Sequence, residues 1–238
     1  MSVESKRVVI VGGTSGIGLA VAQAAAHGGA QVVVASARQA SVARALDELP
    51  AGSVGRVVDV TDGTAVESFF SEIGVLDHLV FTAGEALVVS ALGELEVERA
   101  SAFFDTRYFG ALRSVKSAAP RINQGGSITL TTGVASSRPR AGWSVGASVC
   151  GAIEALTRAL AIELAPIRVN VVSPGVVRSP LWRSMCIADR EHLYAAAAAL
   201  PVGHVGETNE IAQAYLYCMN QTYGTGAMIR VDGGTVLV

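Results

Sequence analysis

The sequence predicts a single α/β domain built on a doubly wound, parallel sheet of about seven strands. Short β-branched apolar runs alternate with helix-length patterns along all 238 residues, which is the arrangement of repeated βαβ units. Half of the residues are hydrophobic and only 16% are charged, as a sheet covered by helices on both faces requires. No shift in composition, linker or internal repeat divides the chain, so one domain is expected over residues 1–238.

The elements follow in order. Val8–Val11 reads as a first strand, and Gly16–His27 as a helix with apolar or small residues at Ile17, Val21, Ala24 and Ala25. Gln31–Ala35 and Gly55–Val58 read as strands, each followed by a helical pattern, Val42–Leu49 and Ala65–Ile73. Leu79–Phe81 is a fourth strand, and a long helix over Val97–Ala118 is closed by Pro120. Ser127–Thr131, the long helix Ser144–Leu164 and the strand Arg168–Val172 continue the alternation, and a helix Glu210–Met219 precedes a last strand Met228–Val231. The stretch Ser179–Gly206 breaks the pattern and reads as a substrate lid.

The formal net charge is −2 with no basic or acidic run, which argues against a nucleic-acid partner or an anionic-membrane surface. Cys150, Cys186 and Cys218 have neither zinc-site nor disulfide-framework spacing, and no metal is expected. Met1 to Lys6 is polar and runs straight into a strand, so neither a signal peptide nor a membrane-spanning run is expected. A cytoplasmic protein with a small-molecule substrate is the reading that remains.

Chemistry enters at Gly12-Gly13-Thr14-Ser15-Gly16-Ile17-Gly18, between the first strand and the first helix. Glycine permits positive φ and carries no Cβ, so backbone N–H groups can close on a pyrophosphate, and the helix N-terminus adds free donors and a positive dipole end. The spacing Gly12-x-x-x-Gly16-x-Gly18 resembles the TGxxxGxG pattern of the short-chain dehydrogenase/reductase family, with Val11 where that family usually has threonine. Further matches run nearly end to end. Asp59-Val60 resembles the pair that contacts adenine. Thr82-Ala83-Gly84 resembles the Asn-Ala-Gly after the fourth strand. Pro174-Gly175, with Val177 and Ser179, resembles the PGxxxT segment at the nicotinamide carboxamide, and Asp232-Gly233-Gly234 the C-terminal signature. The resemblance implies a Rossmann fold, a nicotinamide dinucleotide held by Gly12, Thr14, Ser15, Gly16, Ile17, Gly18, Asp59, Val60, Ala83, Gly84, Pro174, Gly175, Val177 and Ser179, and a homodimer or homotetramer.

The second strand ends in Ala35-Ser36-Ala37-Arg38, with no Asp or Glu between Gln31 and Ser41. An acid there would bind the ribose 2′-OH of NAD. Ser36 and Arg38 instead suit a 2′-phosphate through hydrogen bonding and charge pairing, so NADP(H) is expected over NAD(H).

In the family a serine, a tyrosine, a lysine and an asparagine carry the proton chemistry. A tyrosine with a reference pKa of about 10 needs a neighbouring ammonium to work near neutrality, and a spacing of i, i+4 puts the two on one helix face. Aligned on this chain, the four positions fall on Gly133, Gly146, Cys150 and Arg107. No tyrosine has a lysine four residues on, and the only lysines are Lys6 and Lys116. Arg107 is a permanent cation suited to holding an oxyanion, or it pairs with Glu85 or a backbone carbonyl. Thr132 offers a hydroxyl beside the missing serine, or simply ends a strand. Trp143, Trp182 and Tyr194 either line the space freed by Gly146 or pack the lid. His27 and His78 read as surface residues, and His192 and His204 as members of the lid.

Three functions fit these residues: an NADPH-dependent reductase of a ketone, quinone or enone that works without the Tyr/Lys relay; a non-enzymatic cofactor-binding or partner subunit; and a non-redox cyclase or isomerase.

Overall fold

The computed structural model describes residues 3–238; Met1 and Ser2, the start of the polar N-terminus, lie outside it. In order, the elements are β1 (Arg7–Val11), α1 (Gly16–His27), β2 (Gln31–Ser36), α2 (Gln39–Glu48), β3 (Val54–Val57), α3 (Gly63–Ile73) and β4 (Leu76–Phe81). Then come α4 (Val97–Phe104), α5 (Gly110–Ala118), β5 (Ile122–Thr131), α6 (Ser144–Glu163) and β6 (Arg168–Pro174). The chain closes with β7 (Val177–Arg178), α7 (Ile187–Ala198), β8 (Gly206–Glu207), α8 (Thr208–Asn220) and β9 (Met228–Val231).

Seven strands form one parallel sheet in the order β3-β2-β1-β4-β5-β6-β9. Side chains alternate across it. Val9 and Val11 of β1 join Leu79 and Phe81 of β4 in a core shared with α3, α5 and α6. Val8 and Ile10 face the other way, into a core with α1 and α8. Strand order reverses between β1 and β4, and a crevice opens beyond the carboxyl ends of the strands there, as in other doubly wound sheets.

Four expectations change. The long helix Val97–Ala118 is broken by a π turn over Asp105–Phe109. The stretch Ser179–Gly206 folds rather than standing irregular: it carries α7, and β7 and β8 pair at its two ends. His78 is 5% exposed, not a surface residue, because every residue of β4 is buried. Its Nδ1 lies 2.9 Å from the Ser127 hydroxyl, and burial pushes its pKa down to about 4. Finally, α6 is long and apolar enough to cross a membrane by length and composition, with a mean hydropathy of 1.5. That value arises because its face toward the sheet is Val145, Val149, Ile153 and Leu160 while Gly146, Ala147, Gly151 and Ala152 are small rather than polar.

Candidate active site

A cavity of about 580 Å³ occupies the crevice, and every residue expected to bind the dinucleotide lines it. One end is built mainly from backbone. Gly12 has φ of +90°, and a Cβ on it would sit 2.4 Å from the Ala83 nitrogen. A Cβ on Gly18 would meet the Gly12 oxygen at 2.3 Å and the Thr82 hydroxyl oxygen at 2.4 Å. The turn after β1 and the Thr82-Ala83-Gly84 loop after β4 therefore close on each other only because both glycines lack side chains. Ser15 enters α1 in extended conformation without a side-chain cap, and the first turn carries no acid. The amide donors of that turn are left for a ligand, so the cradle fits a pyrophosphate.

Ser36 and Arg38 stand where β2 meets the cavity, joined by Ser41 and Arg44 from α2. The sequence reading missed Ser41 and Arg44. Their i, i+3 spacing on a helix was the available signal. Arg38 and Arg44 are exposed, and no other described side chain engages either guanidinium. Asp59 accepts the Thr61 amide at 2.9 Å and the Thr61 hydroxyl at 2.7 Å, which holds its carboxyl below the usual range. Val60, beside it, packs against Gly110, where a Cβ would lie 2.8 Å from Val60 Cγ2.

The far end is walled by Pro174, Gly175, Val177 and Ser179 on one side. Gly175 runs against Asp232, whose Cα lies 2.7 Å from where a Cβ would stand. The Asp232 carboxylate in turn accepts the Gly234 amide at 2.9 Å and the Val236 amide at 3.2 Å. The Asp232-Gly233-Gly234 signature thus buttresses the wall from outside the cavity. Ser179 and Pro180 pass over the glycine turn, with Pro180 Cδ 3.4 Å from the Cβ position of Gly16.

Opposite that wall stands Arg107, on the π turn. Such a turn adds a residue to the helix and re-aims the side chains after it. The guanidinium lies over Gly84, where a Cβ would be 2.5 Å from Arg107 Cζ, and 4.5 Å from the centre of the Phe103 ring. Nη2 donates to the backbone carbonyl of Glu85, one of the pairings expected, while Nε is buried without a partner. Burial pulls the Arg107 pKa down and the charge of Glu85 pulls it up. Gly133, Gly146 and Cys150 line the same end. A Cβ on Gly146 would meet nothing within 4 Å, and one on Gly133 would lie 3.5 Å from the Cys150 sulfur. Burial pushes the Cys150 thiol up, against the pull of Thr132 and Arg107.

The Thr132 hydroxyl lines the cavity but is shared between the Cys150 carbonyl and Glu154 Oε1, each at 3.1 Å. Trp143 and Trp182 also line it, their ring centres 6.4 Å apart. Tyr194 does not. It is buried behind Trp182 with Leu193, under the Arg178 guanidinium at 4.5 Å, because its place on α7 turns it away from the opening. His204 lies outside the cavity, 2.9 Å from Glu210.

A family model described as an SDR-like Rossmann domain matches residues 2–238. The short-chain dehydrogenase/reductase ucsE of an Acremonium species is 38% identical over 98% of this chain and 96% of its own. A crystal structure of a small-chain dehydrogenase in complex with NADPH superposes with a TM-score of 0.83 at 36% identity, covering 99% of this chain and 100% of the other. The MalC reductase/Diels-Alderase of Malbranchea aurantiaca superposes with a TM-score of 0.90 at 29% identity, covering 99% and 97%.

Proposed function

This chain belongs to the short-chain dehydrogenase/reductase family, and we propose that it is an NADPH-dependent reductase of a hydrophobic carbonyl substrate, a ketone, quinone or enone, that works without the family's Tyr/Lys relay. The coarser part stands without proposal: the protein is an oxidoreductase of this family, with a site for a nicotinamide dinucleotide. One observation carries the rest. The cradle at Gly12–Gly18 opens without interruption into an end that holds a guanidinium with an unpartnered Nε among apolar walls.

The bound dinucleotide supplies a hydride to the substrate. The chain's residues do the remaining work. Gly12, Thr14 to Gly18 and the start of α1 hold the pyrophosphate. Ser36, Arg38, Ser41 and Arg44 receive the 2′-phosphate, which is the basis for preferring NADP(H). Arg107 is fixed by Gly84, Phe103 and the Glu85 carbonyl, and it stabilises negative charge as it develops on the substrate oxygen. Thr132 holds the Cys150 turn of α6 against β5. Gly146 leaves room for a larger substrate between α6 and the two tryptophans. Action in the cytosol as a homodimer or homotetramer completes this reading.

The test is purified protein with NADPH and a panel of ketones, quinones and enones, following absorbance of the reduced cofactor together with its binding affinity. Tight binding with turnover of at least one hydrophobic probe is expected. Tight binding without oxidation across the panel would sink the reading. The MalC likeness favours one second reading, in which the same apolar end and cation promote a cyclisation with no net redox change. Product formation at constant NADPH absorbance would select it.

A further inference from the structure

We propose that the Glu85 side chain is the proton donor of this site, working beside Arg107 in place of the absent tyrosine. The inference rests on the reductase reading and adds to it the group that completes the chemistry.

Elimination leads to Glu85. Ser179 stands on the wall opposite Arg107, and the threonine hydroxyls on the Arg107 side are engaged. Thr131 donates to the Phe81 carbonyl at 2.6 Å and meets the Tyr215 hydroxyl at 2.7 Å. Thr132 is shared between Cys150 and Glu154, and Thr106 between the Ala102 carbonyl, at 3.4 Å, and the Glu85 carboxyl. Arg107 does not release a proton near neutrality. Cys150 lines the same end, but burial pushes its thiol further up, which makes it the weaker acid. Glu85 differs in three ways. It follows Gly84 in the loop that cradles the guanidinium, and its own carbonyl is held by Arg107 Nη2. It lines the cavity. The residue is also exposed at the mouth of that lining, so water can return a proton after each turnover.

Burial raises the Glu85 carboxyl above the ordinary range, outweighing the lowering by Arg107 and the Thr106 hydroxyl. Arg107 is the charged group facing it. The guanidinium also interacts with the Cys150 thiol, which Glu154 adjoins, and Arg183 lines the same cavity. A carboxyl moved toward neutrality is suited to general-acid work.

The step balances. The carbonyl carbon gains the hydride of NADPH, and the electron pair of the C=O π bond moves to oxygen beside Arg107. That oxygen takes the Glu85 proton to give the alcohol (for an ortho-quinone an α-hydroxy ketone, which becomes the hydroquinone when the C–H proton shifts to the second oxygen), and water reprotonates the carboxylate. The cofactor is oxidised by two electrons and the substrate is reduced by two.

The experiment compares unaltered protein with Glu85→Gln and Glu85→Asp, using phenanthrenequinone and an aryl ketone as probes. Glu85→Gln should lower kcat about a hundredfold and abolish its decline at high pH, while NADPH affinity measured by fluorescence titration stays the same. Glu85→Asp should recover part of kcat. Carbon-13 NMR, assigned by difference against Glu85→Gln, should find a carboxyl titrating above the reference glutamate value of about 4.3. An unchanged kcat and pH profile in Glu85→Gln, or an ordinary carboxyl titration, overturns the proposal and leaves the reductase reading in place. No turnover of any probe by the unaltered protein, despite NADPH binding, overturns both.

Discussion

The two ends of the cavity are made in different ways. The pyrophosphate end is backbone: glycines whose missing Cβ atoms let one loop lie on another, and a helix start left uncapped. The Arg107 end is side chain: a guanidinium on a π turn, a thiol, a carboxyl and two indoles. Backbone geometry tolerates little substitution, because each contact depends on the position of the main chain itself. Side-chain chemistry can be exchanged residue by residue while the scaffold stays. That difference is why residues at the Arg107 end can vary while a cradle like that of Gly12–Gly18 stays in place.

The comparison can be broken most severely at Gly18. Gly18→Ala would drive a methyl into the Gly12 carbonyl and the Thr82 hydroxyl. A loss of NADPH affinity greater than about a hundredfold is expected, with about 1–3 kcal/mol of lost stability from overpacking; calorimetric titration and thermal unfolding measure the two. Arg107→Met tests the other end, and the expected result is the converse. Turnover of the best probe should fall about a hundredfold, as for loss of an oxyanion donor, while NADPH binding is retained. A matching loss of cofactor affinity would mean that the two ends are not separable.

Smaller changes sharpen the same contrast. Gly146→Tyr enters open space, so the fold should be kept. It should reduce kcat/KM for phenanthrenequinone about tenfold, and less for a small ketone, by filling the pocket. Equal loss for both probes would argue against a size effect. Arg38→Ala and Arg44→Ala should each weaken NADPH about five- to tenfold and leave NADH unchanged, the modest size reflecting their exposure. Competitive binding against both cofactors gives that ratio directly.

Much of this architecture was legible in the residues. Apolar alternation placed the sheet strands, and the Gly12–Gly18 spacing placed the cradle, because both are local patterns tied to backbone conformation. The Arg107 end was harder to read. Arg107 was singled out from its position, with Glu85 or a backbone carbonyl as its partner, but Gly84 as its support, and the Glu85 carbonyl as the group it takes, became evident only when the β4 loop met the π turn across 22 residues of sequence. Arg44 reached the cavity through the turn of α2. His78 was misplaced, and Tyr194 left between lining the cavity and packing the lid, for a related reason: a polar tip on an apolar body is compatible with surface or core, and the packing around β4 and α7 decides which.

The sequence by itself determined the fold class, the order of its strands and helices along the chain, and the glycine turn, since periodicity and the need for positive φ are properties of neighbouring residues. Tertiary structure decided which side chains share the far end of the cavity, how Arg107 is aimed, and which protons remain free to move. Those depend on contacts between segments distant in the chain, where burial and hydrogen bonding set the charge and reach of each group.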